Sequence, residues 1–262
     1  MSANTNADAI TARLRSAGCV FAEDESRLLI AAAGTSEELE RLVEQRVSGL
    51  PLEQLLGWAE FCGLRIVLEP GVFVPRRRTE YLAQQAARLA LPAAAVVDLC
   101  CGSGAVGAAL AAAVGGIELH AADVDPASVR CARRNIEPAG GHVYQGDLYA
   151  ALPATLRGRV HVIAANAPYV PTGSIGMMPP EARLHEPLVA LDGGADGLDV
   201  QRRIAREAPS WLAPGGHLLI ETSVRQATTT AALLEGAGLA ARVVHSDDLD
   251  ATVVIGTLAE NS

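Results

Sequence analysis

The chain has 262 residues, half of them hydrophobic and 19% charged, which is ample material for one sizeable core plus a small second domain and excludes a disordered chain. A net charge of −9 argues against a protein that grips duplex DNA over a long footprint. Five cysteines (Cys19, Cys62, Cys100, Cys101, Cys131) lack metal-ligand spacing, the six histidines are scattered, and no apolar run reaches the roughly 18 residues a membrane span needs. Residues 1–10 carry no basic-then-apolar leader signal. These features predict a reduced, cytoplasmic, monomeric protein with no metal, no membrane and no direct nucleic-acid partner.

Residues 6–49 read as helical, with Leu14, Leu28, Leu29, Leu39, Leu42 and Val43 at helical spacing and Gly18 and Gly34 as punctuation. Thr35 or Ser36 is a candidate cap for the last helix. Around Cys62-Gly63 the pattern changes to a short hairpin, Trp58–Phe61 and Leu64–Leu68. Pro70-Gly71 and Pro75 mark a connector, so a small N-terminal domain is expected over 1–74 and a main domain over 75–262. From there the chain alternates: helix 79–90, strand 95–100, helix 105–114, strand 117–123, helix 126–137, strand 142–146 and strand 160–165. After a long Pro- and Gly-rich segment, 166–197, come helix 198–212, strand 216–221 and helix 225–236. This rhythm predicts an α/β fold with a doubly wound, mostly parallel sheet. Leu239–His245 and Thr252–Leu258 have no helix between them, which predicts a terminal antiparallel hairpin.

Strand 95–100 ends in Asp98-Leu99-Cys100-Cys101-Gly102-Ser103-Gly104, and Gly102, Gly104 and Gly107 spell GxGxxG. That match alone is weak, because a glycine-rich strand–helix turn is often only tight packing. Asp123 ends the next strand, 19 residues after Gly104, where a carboxylate accepts from both hydroxyls of a ribose. Asp98, at the mouth of the turn, would repel a pyrophosphate and suits a ligand bearing an ammonium group. Its bland alternative is a cap for helix 105–114. Asp147 and Leu148 follow the third strand, where they would meet an adenine amino group and its ring; an ordinary Gly-Asp turn explains them equally well. Asn166-Ala167-Pro168-Tyr169 follows the apolar strand 160–165. A polar amide, a rigid proline and an aromatic ring at a strand's carboxyl end suit the capture of a planar nitrogen-bearing group.

These motifs, in this order, resemble the release-factor glutamine methyltransferases, the HemK/PrmC family of protein-(glutamine-N5) methyltransferases. The resemblance runs through Gly49-Leu50-Pro51-Leu52-Glu53-Gln54-Leu55-Leu56-Gly57, Ala59-Glu60-Phe61, Pro75-Arg76 and Thr79-Glu80. It continues through the Asp98 loop, Asp123, the Asn166 motif, Glu186-Pro187, Gly193-Gly194, Asp196-Gly197-Leu198, Pro214-Gly215-Gly216 and Glu221. It implies a class I, Rossmann-like, seven-stranded methyltransferase domain and a helical domain that recognises the substrate. It implies S-adenosyl-L-methionine as cofactor, bound by Asp98, Cys100, Cys101, Gly102, Ser103, Gly104, Asp123, Asp147, Leu148 and Asn166. It also implies a protein glutamine, in a release factor, as methyl acceptor, held by Asn166, the Ala167 carbonyl, Pro168 and Tyr169. The family's motif is Asn-Pro-Pro-Tyr; here Ala167 keeps the carbonyl and loses the fixed φ of proline. Cys100 and Cys101 stand for Gly and Thr, Arg77-Arg78 for a Pro-acidic pair, and Glu221-Thr222-Ser223 for Glu-Ile-Gly. Three other readings are carried: an adenine-N6 nucleic-acid methyltransferase, a cofactor-binding protein without catalysis, and, more distantly, an NAD-dependent oxidoreductase.

Overall fold

A computed structural model describes residues 3–260. The N-terminal helical region resolves into α1 (Ala3–Ser16), α2 (Ala22–Ala32) and α3 (Ser36–Val47), parted at Gly18 and Gly34, followed by the short α4 (Leu52–Leu56). Thr35 is the cap of α3: its hydroxyl accepts from the Glu38 N–H at 3.1 Å. Ile10, Leu14, Leu29, Leu42 and Val43 form a small core of their own. Burying Leu14 and Leu29 completely contributes about 1.5–3 kcal/mol each.

Strands β1 (Trp58–Phe61) and β2 (Leu64–Val67) pair antiparallel across a two-residue turn. Cys62 and Gly63 both have positive φ, 50° and 73°, as a tight hairpin turn of this length requires. The hairpin packs away from the helical core. Phe61 and Ile66 enter the main core beside Leu82, Ala83 and Ala86.

The main sheet contains β3 (Ala95–Leu99), β4 (Glu118–Asp123), β5 (His142–Gln145), β6 (Val160–Ala165), β7 (Leu212–Thr222), β8 (Leu239–Ser246) and β9 (Ala251–Leu258). Their order is β5-β4-β3-β6-β7-β9-β8; the first five are parallel, and β9 runs antiparallel to both β7 and β8. The seven-stranded sheet and the terminal hairpin are thus as expected. Strand order reverses between β3 and β6, which opens a crevice at their carboxyl ends.

Helices α5 (Glu80–Leu89), α6 (Ala105–Val114) and α7 (Pro126–Ile136) cover one face. A short α8 (Pro180–His185) lies in the long segment after β6, and α9 (Asp199–Glu207) and α10 (Ala227–Gly236) cover the other face. Two boundaries differ from expectation. The helix expected over 198–212 stops at Glu207, because Pro209 cannot continue it. The strand expected over 216–221 begins at Leu212 and carries an irregularity: Val160 pairs with Leu212, but Val162 pairs with His217. Pro214 and Gly215, the latter at φ 74°, sit in that bulge. No helix among the described residues is long and apolar enough to cross a membrane.

Candidate active site

Strand alternation decides which side chains meet at the crevice. Along β3, Ala95, Val97 and Leu99 face the α9–α10 core, while Val96 faces α5–α7 and Asp98 follows it. Along β6, Val162 and Ala164 face α5–α7, and Asn166 continues that side just beyond the strand. Along β7, Leu219 does the same, and Glu221 continues it. Ala165 pairs with Ile220, so Asn166 and Glu221 are the next residues on two neighbouring parallel strands. Thr79, immediately before α5, meets Asn166 there.

A cavity of about 440 Å³ opens at these strand ends. It is lined by Asp98, Cys100, Cys101, Gly102, Ser103, Asp123, Asp147, Leu148, Asn166, Ala167, Pro168 and Tyr169. Every site residue expected from the sequence therefore lies on one wall or another, except Gly104. Its φ is 78°, and a Cβ there would stand 2.8 Å from Ile136 Cδ1. Gly104 is thus a packing glycine that lets α6 approach α7, as the more ordinary reading of the motif holds. Gly102 differs: at φ 54°, a Cβ would meet nothing within 4 Å, so its backbone faces open space at the cavity.

Asp98 is buried and fulfils the capping alternative: Oδ2 accepts from the Gly107 N–H at 2.8 Å, in the first turn of α6. No cationic side chain lies against it among the described hydrogen bonds and ion pairs. Burial, with Asp123 adding to it, pushes its carboxyl up to about 7 despite the Gly107 hydrogen bond. A buried carboxylate on a cavity wall without a cation fits a ligand that brings one. Asp123 is also raised by burial; it accepts from Gly102 N–H at 2.8 Å and from Asp125 N–H at 2.9 Å. These bonds hold the glycine turn against the end of β4 and aim the carboxylate at the cavity. Asp147 is more exposed than a dedicated adenine acceptor would be, and Oδ2 is paired with Arg203 at 2.6 Å. The Leu148 side chain behind it is buried. Burial raises both Cys100 and Cys101 thiols, so they stay neutral and serve as packing.

On the other half of the cavity, Asn166 Nδ2 donates to Thr79 Oγ1 at 3.1 Å. That leaves Oδ1 as the group Asn166 can offer a ligand. Ala167 is almost fully buried, and the Tyr169 carbonyl is held by Gln226 Nε2 at 2.9 Å. The Tyr169 hydroxyl faces Glu221 Oε1 at 3.5 Å. Burial and that carboxylate push the phenol up to about 12, so it remains protonated.

The segment 166–197 is less irregular than expected. It contains a turn at Thr172–Met177, α8, and a second turn at Leu188–Ala190. It is fastened back on itself where Val170 N–H donates to Leu191 O and Gly193 N–H to Val170 O. Buried Glu186 clamps it to the connector, accepting from Arg76 Nη2 at 2.5 Å and Val74 N–H at 3.3 Å. The arginine run that the sequence left without a partner thus finds acids inside the molecule: Arg76 on Glu186, and Arg78 with Nε 3.7 Å from Glu221. Sequence reasoning gave no role to Thr79, Glu221, Phe61 or Phe73. Thr79, Glu221 and Phe61 were visible only as family matches, and Phe61 and Phe73 reach the cavity wall from the hairpin and connector.

The family model for the methyltransferase small domain matches residues 63–176. A release factor glutamine methyltransferase of Geobacter sulfurreducens is 39% identical over 199 residues, covering 75% of this chain and 69% of that protein. The chain belongs to the release factor glutamine methyltransferase family. A 4-amino-L-phenylalanine/4-methylamino-L-phenylalanine methyltransferase of Streptomyces pristinaespiralis is 37% identical over 203 residues, covering 75% of this chain and 69% of that one. Among solved structures, a methyltransferase from Pyrococcus furiosus matches with a TM-score of 0.59 at 17% identity, covering 82% of this chain and 99% of that chain. That likeness concerns the fold, which is the class I methyltransferase sheet. Membership in the methyltransferase family sets aside the oxidoreductase suggested by a literal GxGxxG.

Proposed function

We propose that this protein transfers the methyl group of S-adenosyl-L-methionine to the side-chain amide nitrogen of a glutamine in a protein, a release factor first among candidates. The observation that carries the reading is the tethering of the Asn166 amide to Thr79, which leaves its oxygen for the substrate. Asn166 Oδ1 and the Ala167 carbonyl would accept the two N–H bonds of the substrate amide, with Pro168 stiffening the corner and Tyr169 packing on the amide plane. An amide nitrogen is a poor nucleophile, because its lone pair is delocalised into the carbonyl. Two fixed acceptors orient it toward the methyl group, and orientation with exclusion of water supplies the catalysis. Asp98 would take the cofactor's ammonium, Asp123 its ribose, and Leu148 with Asp147 its adenine, around the backbone of Cys100–Ser103. S-adenosylhomocysteine is the second product.

The helical domain would supply the substrate-recognition surface. Its link to the site runs through Arg46, whose Nη1 stands 3.5 Å from Glu181 of α8 in the segment beside the cavity. The test is methylation of a Gly-Gly-Gln-containing release factor with labelled cofactor, with mass spectrometry to locate the modified residue. Asn166→Ala should keep cofactor affinity and abolish turnover. Turnover equal to wild type would remove Asn166 from the mechanism, and a label on any atom other than a glutamine amide nitrogen would replace the substrate.

A second reading has its own support. The relative that acts on 4-amino-L-phenylalanine covers as much of this chain as the release factor relatives do. Here Phe61 and Phe73 line the cavity, and the half-exposed Arg78 stands at its wall. A free aromatic amine presents N–H bonds to the same acceptors, and its carboxylate would find Arg78. Parallel assays with 4-aminophenylalanine separate the two substrates.

A further inference from the structure

We propose that Gln226 is a positioning residue for the methyl acceptor: its side-chain amide fixes the Tyr169 carbonyl, and with it the downstream end of the corner Asn166–Tyr169. The inference rests on the reading of that corner as the place where the acceptor nitrogen is held.

The corner needs holding from outside. Pro168 has a fixed φ, but Ala167 before it does not. The Ala167 and Pro168 carbonyls have no hydrogen-bond partner among the described residues. Upstream, Asn166 follows β6 and its amide is tied to Thr79. Downstream, the peptide unit that joins Tyr169 to Val170 is bound at both of its polar atoms. Its carbonyl accepts from Gln226 Nε2 at 2.9 Å, and its N–H donates to Leu191 O at 3.1 Å. That unit cannot turn without breaking a bond, so Tyr169 enters the cavity wall in one direction.

The donor–acceptor inventory makes Gln226 specific for this task. A side-chain amide has two N–H protons and one oxygen, and a backbone carbonyl only accepts. Nε2 donates to Tyr169 O and, at 3.1 Å, to Asp196 O. Oε1 accepts from Ser223 Oγ at 2.6 Å, and Ser223 Oγ in turn receives the Gln226 backbone N–H at 3.3 Å. A reversed amide would set its oxygen against two carbonyls, so one orientation survives. Asp196 is itself held, because its Oδ1 accepts from Leu198 N–H at 3.1 Å and from Arg202 Nη1 at 3.0 Å. From the start of α10, Gln226 therefore ties the corner to the loop that opens α9. Gly197 makes room for the tie: a Cβ there would stand 2.5 Å from Gln226 Nε2 and closer still to the Tyr169 carbonyl oxygen. None of these groups belongs to the glycine turn at the ends of β3 and β4, so effects on acceptor and on cofactor should separate.

The experiment compares Gln226→Leu, Gln226→Glu and Ser223→Ala in the full chain, with calorimetric S-adenosylmethionine affinity as the control for an intact fold. Leucine has no donor, and an ionised glutamate keeps the shape but only accepts. The backbone carbonyl ¹³C resonance of Tyr169, one of four tyrosines in the chain and assigned by its loss in Tyr169→Phe, reads the hydrogen bond without any substrate. It should move in both Gln226 variants. With cofactor saturating, turnover on the glutamine substrate should fall by about tenfold or more in the same two, since a misplaced reacting group costs up to about a hundredfold. Cofactor affinity should stay at its wild-type value. Ser223→Ala disturbs the start of α10 but leaves both amide protons on their carbonyls, so it should lose less. An unmoved carbonyl resonance in both Gln226 variants would overturn the proposal. So would wild-type turnover in Gln226→Leu, a matching loss of cofactor affinity, or an equal loss of turnover in Ser223→Ala. If Gln226→Leu does not fold, Gln226→Glu decides. If wild-type protein methylates 4-aminophenylalanine and no glutamine, the glutamine reading fails, and the same fall on the aromatic amine upholds the role of Gln226.

Discussion

Asp98→Asn separates the cap that the buried carboxylate forms from the cation site proposed for it. In the folded protein the carboxyl is raised from 3.8 to about 7, so the free protein binds a proton there between those values while the unfolded chain does not. Wild-type stability without cofactor therefore falls as pH rises from about 4 to about 7. Above pH 7 the full cost of an ionised, buried Asp98 is present, about 4 kcal/mol at 1.36 kcal/mol per pH unit. Asparagine keeps an oxygen for the Gly107 N–H and removes that cost, while its buried NH₂ gives back about 1 kcal/mol. Asp98→Asn should thus be more stable than wild type by about 3 kcal/mol at pH 8, with little difference at pH 5. Urea titrations at both pH values measure this. Cofactor affinity should move the other way. Losing a charge-assisted bond weakens binding by about 1.5–3 kcal/mol, or roughly ten- to a hundredfold. Wild-type affinity should itself rise with pH up to about 7, as the carboxyl ionises. A variant no more stable at pH 8, or one that binds cofactor as tightly as wild type, would refute the assignment of Asp98 as an uncompensated site for a cation.

The two glycines of the turn should behave differently. Gly104→Ala meets both a positive φ and Ile136 at 2.8 Å, and should lower stability by about 2–4 kcal/mol in denaturant titration. Gly102→Ala has the φ strain alone and should cost about 1–2 kcal/mol, with a larger effect on calorimetric cofactor affinity than on folding. Removing the Glu186 carboxylate by Glu186→Ala strips Arg76 and the Val74 N–H of their acceptor. Because Arg76 is still about a third exposed, the loss should be about 2 kcal/mol, less than for a fully buried pair. Limited proteolysis should then cut within 166–197 faster than in wild type.

How much of the molecule was legible in advance follows from the range of each interaction. The alternation of apolar runs, the Gly18 and Gly34 breaks and the Thr35 cap act over a few residues, and they predicted the helices, the parallel sheet and the terminal hairpin. Pro209 is equally local and does stop α9 at Glu207, a boundary that the apolar pattern around it hid. The cavity wall was legible because ligands sit at strand ends and the motifs lay at strand ends. What local pattern does not carry is contact between distant residues. The Phe61 hairpin joins the main core because of faces it meets only after folding. No local pattern pairs Arg76 with Glu186 or Arg78 with Glu221, which arrive from segments more than a hundred residues away. By itself, the sequence determined the methyltransferase sheet, the glycine turn and the Asn166 corner, because strand period and turn chemistry are written residue by residue. The tertiary structure alone decided that Asp98 caps α6 and that Gly104 serves packing. It also decided that Thr79 receives the Asn166 amide, since a strand end and a helix end must be assembled before the two side chains can meet.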